Sequence, residues 1–172
     1  MAGVQLIERK GIKQNHLSQQ TLIRANPDLV FAYLDDIHNA GWHMEKSSMP
    51  LMGSKMTVEI LSKQKSGLGA TYHWTGRVLG MPLDFSETVV KYVPNKERIW
   101  KTIGEPKIII MSAYQMRFFI RPSAEGTVLT LGIDYDLPRP LFWNLIGRLL
   151  AGWYSRWCLT SMDNDARAAL EK

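Results

Sequence analysis

Residues 140–172 read PLFWNLIGRLLAGWYSRWCLTSMDNDARAALEK, a long run with no proline after Pro140. At about 100° per residue, Phe142, Ile146, Leu149, Leu150, Trp153 and Trp157 fall on one arc of a helix, with Trp143 and Tyr154 at its margin. Asn144, Arg148, Ser155 and Cys158 lie away from that stripe. A bilayer span needs roughly 20 apolar residues, and Arg148 and Arg156 interrupt this stretch. The segment therefore reads as a helix that buries its aromatic arc against protein. Such a helix is not stable alone in water. It needs a concave partner from the rest of the chain.

Upstream the apolar spacing turns from helical to alternating. Residues 16–25 have the weak alternation of a first strand. Asn26-Pro27-Asp28 is a helix start, with a capping side chain, a proline suited to the first turn and an acid that complements the dipole. Leu29, Val30, Tyr33 and Leu34 continue that helix, and a second short one is read over 38–44. Alternation then dominates: Met56, Val58 and Ile60; Tyr72, Trp74 and Val78; Phe85 and Val89; Tyr114, Met116, Phe118 and Ile120; Leu129, Leu131, Ile133 and Tyr135. A short strand over 98–103 is stopped by Gly104-Glu105-Pro106, and the strand carrying Tyr114 is read over 108–121. The order is strand, two short helices, six strands, long helix. Short turns between strands give an antiparallel meander with one buried face, an α+β fold whose twisted sheet of six to seven strands curls around the last helix. Residues 1–15 read as a polar arm and 16–172 as a single domain.

Composition excludes several classes. The net charge is +5, but lysines and arginines are scattered without a basic run, which argues against a nucleic-acid partner. One cysteine, Cys158, excludes an internal disulfide and fits a reducing compartment, the cytoplasm. The N-terminus lacks the apolar core of a secretory signal. No metal site is read: His38 and His43 are not at helical ligand spacing, and His16 and His73 stand apart. His73 alternates outward between Tyr72 and Trp74. Gly67-Leu68-Gly69 lacks the third glycine of a phosphate loop, so no cofactor is expected.

Three groups of residues carry a resemblance. They are Ala25-Asn26-Pro27-Asp28-Leu29-Val30-Phe31 with Leu34-Asp35-Asp36; Gly69-Ala70-Thr71-Tyr72-His73-Trp74-Thr75-Gly76 with Phe85-Ser86-Glu87-Thr88-Val89; and Gly126-Thr127-Val128-Leu129-Thr130 with Asp134-Tyr135-Asp136-Leu137-Pro138. In order and spacing, over about residues 20–170, the chain resembles the helix-grip fold of the START and birch-pollen-allergen (SRPBCC) superfamily. Within it the chain is most similar to the polyketide cyclase/dehydrase and lipid-transport branch. The resemblance implies a cavity between sheet and last helix, and a hydrophobic small-molecule partner: a lipid, polyketide or aromatic compound. Fold alone implies no single chemistry.

On that reading the strands supply Tyr72, Trp74, Phe85, Glu87, Tyr114, Met116, Phe118, Leu131 and Tyr135 to the cavity, and the helix supplies Leu149, Trp153 and Trp157. The same aromatics would serve equally as core filling. Glu87 shares the face of Phe85 and Val89, where a carboxylate would have a raised pKa; a one-residue slip would turn it to water. Arg77 and Arg117 fall on wet faces, and Thr160 and Asn164 extend the helical arc toward its end. The loop 47–53 and the segment 107–111 are apolar stretches suited to lids. No catalytic set is assigned. The expectation is a carrier or sensor; the alternatives are a cyclase or dehydratase using Glu87 with a tyrosine hydroxyl, and a module that meets a membrane surface or partner through 141–157.

Overall fold

The computed structural model describes residues 15–46, 55–78 and 80–171. Along them run β1 (Asn15–Ile23), α1 (Pro27–Asp35), α2 (Ile37–Ala40), α3 (Trp42–Glu45), β2 (Lys55–Ile60), β3 (Thr71–Val78), β4 (Met81–Val93), β5 (Glu97–Lys107), β6 (Ala113–Ser123), β7 (Gly126–Asp136) and α4 (Leu141–Leu170). Of the arm read over 1–15, only Asn15 is described, and it opens β1; the loop 47–53 lies outside the described residues.

The helix-start signal works as its chemistry requires. The Asp28 N–H donates to Asn26 Oδ1 at 2.9 Å, and Asp36 caps α2 in the same way through the His38 N–H at 2.8 Å. The one helix read over 38–44 is two pieces, divided at Gly41. A Cβ on Gly41 would stand 2.2 Å from Cη2 of Trp74, so the chain passes directly over the indole there.

The seven strands form one antiparallel sheet in the order β1-β7-β6-β5-β4-β3-β2. Consecutive strands are neighbours from β2 to β7, and β1 returns to pair with β7. Alternation buries Met56 and Val58, Tyr72 and Trp74, then Leu83, Phe85, Glu87 and Val89 along β4. Each large apolar side chain removed from water contributes roughly 1.5–3 kcal/mol. The helix-grip arrangement read from the sequence is the one present.

Two strand boundaries differ from expectation. β5 does not stop at Gly104-Glu105-Pro106 but runs to Lys107, because β4 continues to pair with it across a bulge, from Ser86↔Ile103 to Asp84↔Lys107. Gly104 takes a φ of 67° in that bulge. The other edge of β5 is paired with β6 only as far as Lys101↔Gln115. Pro106 thus lies where a missing N–H breaks no ladder. β6 starts at Ala113 rather than 108, and residues 108–112 form a bend instead.

The larger correction concerns the rotation of α4. Its buried stripe is Gly147, Ala151, Tyr154, Ser155, Cys158, Leu159, Met162, Asp163 and Ala166. The arc expected inside looks outward in its first half: Leu149 is 71% exposed and Trp153 48%. The cause is a close approach. A Cβ on Gly147 would stand 2.7 Å from the Ile110 carbonyl oxygen and 3.0 Å from Pro138 Cδ, so only a residue without one fits. Apolar residues surround this half of the helix almost completely, and periodicity alone does not choose among faces. Further along, Thr160 and Asn164 are exposed. No helix among the described residues is long and apolar enough to cross a membrane.

Gly147→Leu is expected to lower stability by about 1–3 kcal/mol through overpacking, whereas Leu149→Ala should change it by less than about 0.5 kcal/mol. Urea unfolding of both variants checks the order; a larger loss from Leu149→Ala would place the wrong face inside.

Candidate functional site

The sheet and α4 do not close completely. Between them lies an almost wholly apolar cavity of about 50 Å³, walled by Trp74 of β3, Leu83, Phe85 and Glu87 of β4, Trp100 of β5, Tyr114 and Met116 of β6 and Ile133 of β7. Helix α4 adds Tyr154, Cys158 and Met162, and the α2–α3 segment adds Ile37, Ala40, Gly41, His43 and Met44. Ile108 and Met111, from the bend after β5, complete the wall. A water needs roughly 10–15 Å³ on this measure, so the space holds a few.

Glu87 is the polar centre of this wall. It is 2% exposed, and both carboxylate oxygens are engaged: Trp74 Nε1–H donates to Oε1 at 3.0 Å and the Tyr114 hydroxyl donates to Oε2 at 2.6 Å. The alternation of β4 sets this, since Glu87 follows Phe85 inward and stands across from Tyr72 on β3. Burial raises its pKa above the ordinary 4.5, while the Tyr114 and Trp74 donors and the charge of Arg98 pull it back. Burial and the adjacent Glu87 charge hold the Tyr114 hydroxyl well above the usual tyrosine range.

His43 is the second polar group. Its ring meets Trp157 edge to face at 5.3 Å, and its buried Nδ1 has no hydrogen-bond partner among the described residues. Burial, helped by Lys46, drives its pKa from 6.5 to about 3, so the imidazole is neutral at ordinary pH. The Tyr154 hydroxyl points to Met44 Sδ at 3.9 Å, and burial pushes the Cys158 thiol up to about 12.

Behind the cavity wall, Arg98 is fully buried and braces α1 against the sheet. Its Nη1 donates to the Asp35 carbonyl at 2.6 Å and lies 3.4 Å from Asp35 Oδ1. Its Nη2 donates to the Tyr72 hydroxyl at 3.2 Å, and the guanidinium stacks 5.0 Å from the Trp100 ring centroid. Tyr92 donates to Asp35 Oδ2 at 2.8 Å. The cation thus satisfies the Leu34 and Asp35 carbonyls at the end of α1 and packs against the Trp100 ring.

Five of the residues read as cavity lining are there together: Trp74, Phe85, Glu87, Tyr114 and Met116. Tyr72, Phe118, Leu131 and Tyr135 are buried outside it: Tyr72 serves Arg98, and Phe118 packs edge to face on Phe31 at 5.4 Å. Trp157 is half-buried behind His43, and Leu149 and Trp153 lie on the outer side of α4, for the reason given by Gly147. The outward reading of His73 agrees with its bond to Ser86 Oγ at 2.9 Å and its exposure. Arg117 is held on the outer face by Asp134 at 2.7 Å. Missed from sequence were Trp100, which shares the inward face of β5 with the charged Arg98 and so carries no clean apolar alternation, and His43, Tyr154 and Cys158, which the rotation of α4 and the break at Gly41 bring in. Among the described residues no group of three His, Cys, Asp or Glu could hold a metal ion.

Comparison with known proteins decides the family. The family described as polyketide cyclase / dehydrase and lipid transport matches residues 14–167. The chain belongs to it. The superfamily resemblance carried by the α1, β3–β4 and β7 segments is therefore borne out. No curated protein matches the chain. Protein TTHA0849 of Thermus thermophilus superposes with a TM-score of 0.66 at 16% identity, covering 90% of this chain and 99% of its own. The Zhui aromatase/cyclase of Streptomyces sp. R1128 gives 0.65 at 14% identity, covering 90% and 94%. Ginseng major latex-like protein 151 of Panax ginseng gives 0.59 at 17% identity, covering 93% and 99%. Identities this low establish a shared fold between this polyketide cyclase/dehydrase and lipid-transport family member and those proteins, and nothing of ligand or chemistry.

Two pH dependences follow from the cavity wall. Glu87 holds its proton more tightly folded than unfolded, so its contribution to stability is complete below the ordinary 4.5 and is lost as pH rises through the raised folded value. Wild type should therefore lose stability relative to Glu87→Gln as pH rises from the ordinary 4.5 through the raised folded value, read as urea midpoints; a constant difference would show an unshifted carboxyl. His43 works oppositely, because the unfolded chain takes up a proton that the folded one refuses. Between 6.5 and about 3, wild type should lose stability relative to His43→Phe with a slope approaching about 1.4 kcal/mol per pH unit. Parallel curves for the two proteins would mean that His43 protonates in the folded state.

Proposed function

We propose that the protein binds a neutral, mainly apolar small molecule in this cavity, as a carrier or sensor. The observation that carries the reading is a buried apolar space whose wall includes an unsatisfied imidazole nitrogen, His43 Nδ1. An orphaned buried polar atom costs roughly 1–3 kcal/mol, and a guest hydroxyl or carbonyl would satisfy it. Ligand pockets usually run to roughly 300–1,000 Å³, so the guest must displace side chains as it enters. Met44, Met111, Met116 and Met162, all in the wall, are the flexible groups able to do so. Glu87 opposes a carboxylate guest, and Arg98 already serves Asp35 and Tyr72. The single unpaired thiol supports a reducing location, the cytoplasm.

A second reading is acid–base chemistry on a polyketide-like carbonyl compound, with Glu87 as base and the Tyr114 hydroxyl as donor. The 2.6 Å contact of these two groups inside the cavity favours it. Against it, both carboxylate oxygens already accept from protein donors. This reading requires Glu87→Gln to remove turnover of a polyketone while leaving its binding unchanged.

The binding reading is tested by titrating 2-naphthol and naphthalene, with tryptophan quenching and calorimetry as readouts. The hydroxylated compound should bind more tightly by about tenfold, the equivalent of one good hydrogen bond. His43→Phe should remove the preference, and Met111→Trp should weaken both compounds by filling the space. Uptake of neither compound overturns the proposal.

A further inference from the structure

The rotation that buries Gly147 and Ala151 leaves a line of large apolar side chains on the outside of α4. Leu141 is 87% exposed, Phe142 66% and Leu145 60%, and Leu149 and Trp153 continue the row. At about 100° per residue these five lie within roughly a 120° arc. The row from Leu141 to Arg156 is about 22 Å long at 1.5 Å per residue. Monomeric proteins seldom leave so continuous a strip in water.

Charge identifies what covers it. Between Asp136 and Asp163 the chain has no carboxylate, and its only charged residues are Arg139, Arg148 and Arg156. All three are exposed, and none has an ion-pair partner among the described residues. Arg139 precedes the row, Arg148 edges it and Arg156 ends it, so every charge that this segment itself sets along the apolar strip is positive. A second copy docked on this strip by two-fold symmetry would bring arginines toward arginines with no acid between them. A surface of anionic lipid headgroups over acyl chains suits both features: the leucines and aromatics enter the boundary, and the arginines meet phosphates.

We infer that the outer face of α4, from Leu141 to Arg156, docks on an anionic membrane surface. The helix lies flat, with its small-residue side still against the protein. The docked end is also where the 108–112 bend rests on Gly147 and contributes Ile108 and Met111 to the cavity wall. If the cavity takes an apolar guest, as proposed above, docking sets that part of the wall beside the phase where such guests dissolve. The surface itself does not depend on that reading.

The test is co-sedimentation of the full chain with vesicles of phosphatidylcholine alone and of phosphatidylcholine mixed with phosphatidylglycerol. Binding should require the anionic lipid and weaken as salt shortens the reach of charge. Arg148→Glu with Arg156→Glu should weaken it by more than roughly fivefold per site, the worth of one arginine at such a surface being about 1 kcal/mol. Leu145→Glu with Leu149→Glu should abolish it while leaving the thermal midpoint and 2-naphthol titration unchanged. Binding that persists in either double variant overturns the inference. So does a lack of binding by wild type, or a concentration-dependent dimer that Leu145→Glu with Leu149→Glu dissolves. If vesicles bind normally but 2-naphthol does not, the cavity reading falls and the docking surface stands.

Discussion

The near-contact of Gly147 with the Ile110 carbonyl and Pro138 sets the rotation of the terminal helix, and through it both faces of the molecule. With no Cβ at that position the helix settles against the bend and the end of β7. One turn on, Ala151 is fully buried, and the next turns send Tyr154, Cys158 and Met162 inward. A helix has one rotational freedom, and fixing it at a single tight point fixes every residue along its length. The cavity wall and the exposed leucine row are thus two results of one packing decision.

Within the sheet, two buried charged groups have most of their polar atoms paired. Glu87 accepts from an indole on β3 and a phenol on β6, and Arg98 joins strand, helix end and two aromatic faces. Removing one partner from such a set leaves the others uncompensated in a medium of low polarity, which makes these groups act as fasteners of shape. His43 Nδ1 on α3 has no partner among the described residues, and neither have Arg98 Nε, Ser155 Oγ or Asp163 Oδ1, but of these residues only His43 lines the cavity. That contrast gives the imidazole its weight in the proposed function.

The sheet was legible because alternation is a binary signal with a chemical cause. Tyr72 and Trp74, Met116 and Phe118, and Leu129 and Leu131 follow it into the core. The Asn26-Pro27-Asp28 start was legible because each residue answers a distinct need of a helix end. The rotation of α4 was not, because leucines, tryptophans and a tyrosine ring its first half and the deciding residue is a glycine with no apolar signal of its own. The same glycine logic hid the break at Gly41, whose neighbour in space is Trp74, far away in sequence. Continuation of β5 past Pro106 depended on which of its two edges is paired, a property of the assembled sheet. For the site, the strand half was readable and the helix half was not: Trp74, Phe85, Glu87, Tyr114 and Met116 against Leu149 and Trp153.

The burial of Cys158 has a chemical consequence. With its thiol pushed up to about 12, the folded chain presents essentially no thiolate at neutral pH, and the sulfur is shut away beside Tyr154. A thiol-directed alkylating reagent therefore finds no reactive thiol until α4 lifts from the sheet. The rate at which this one atom becomes labelled is a clock for the opening of the interior, set by the molecule's own breathing rather than by the reactivity of its surface.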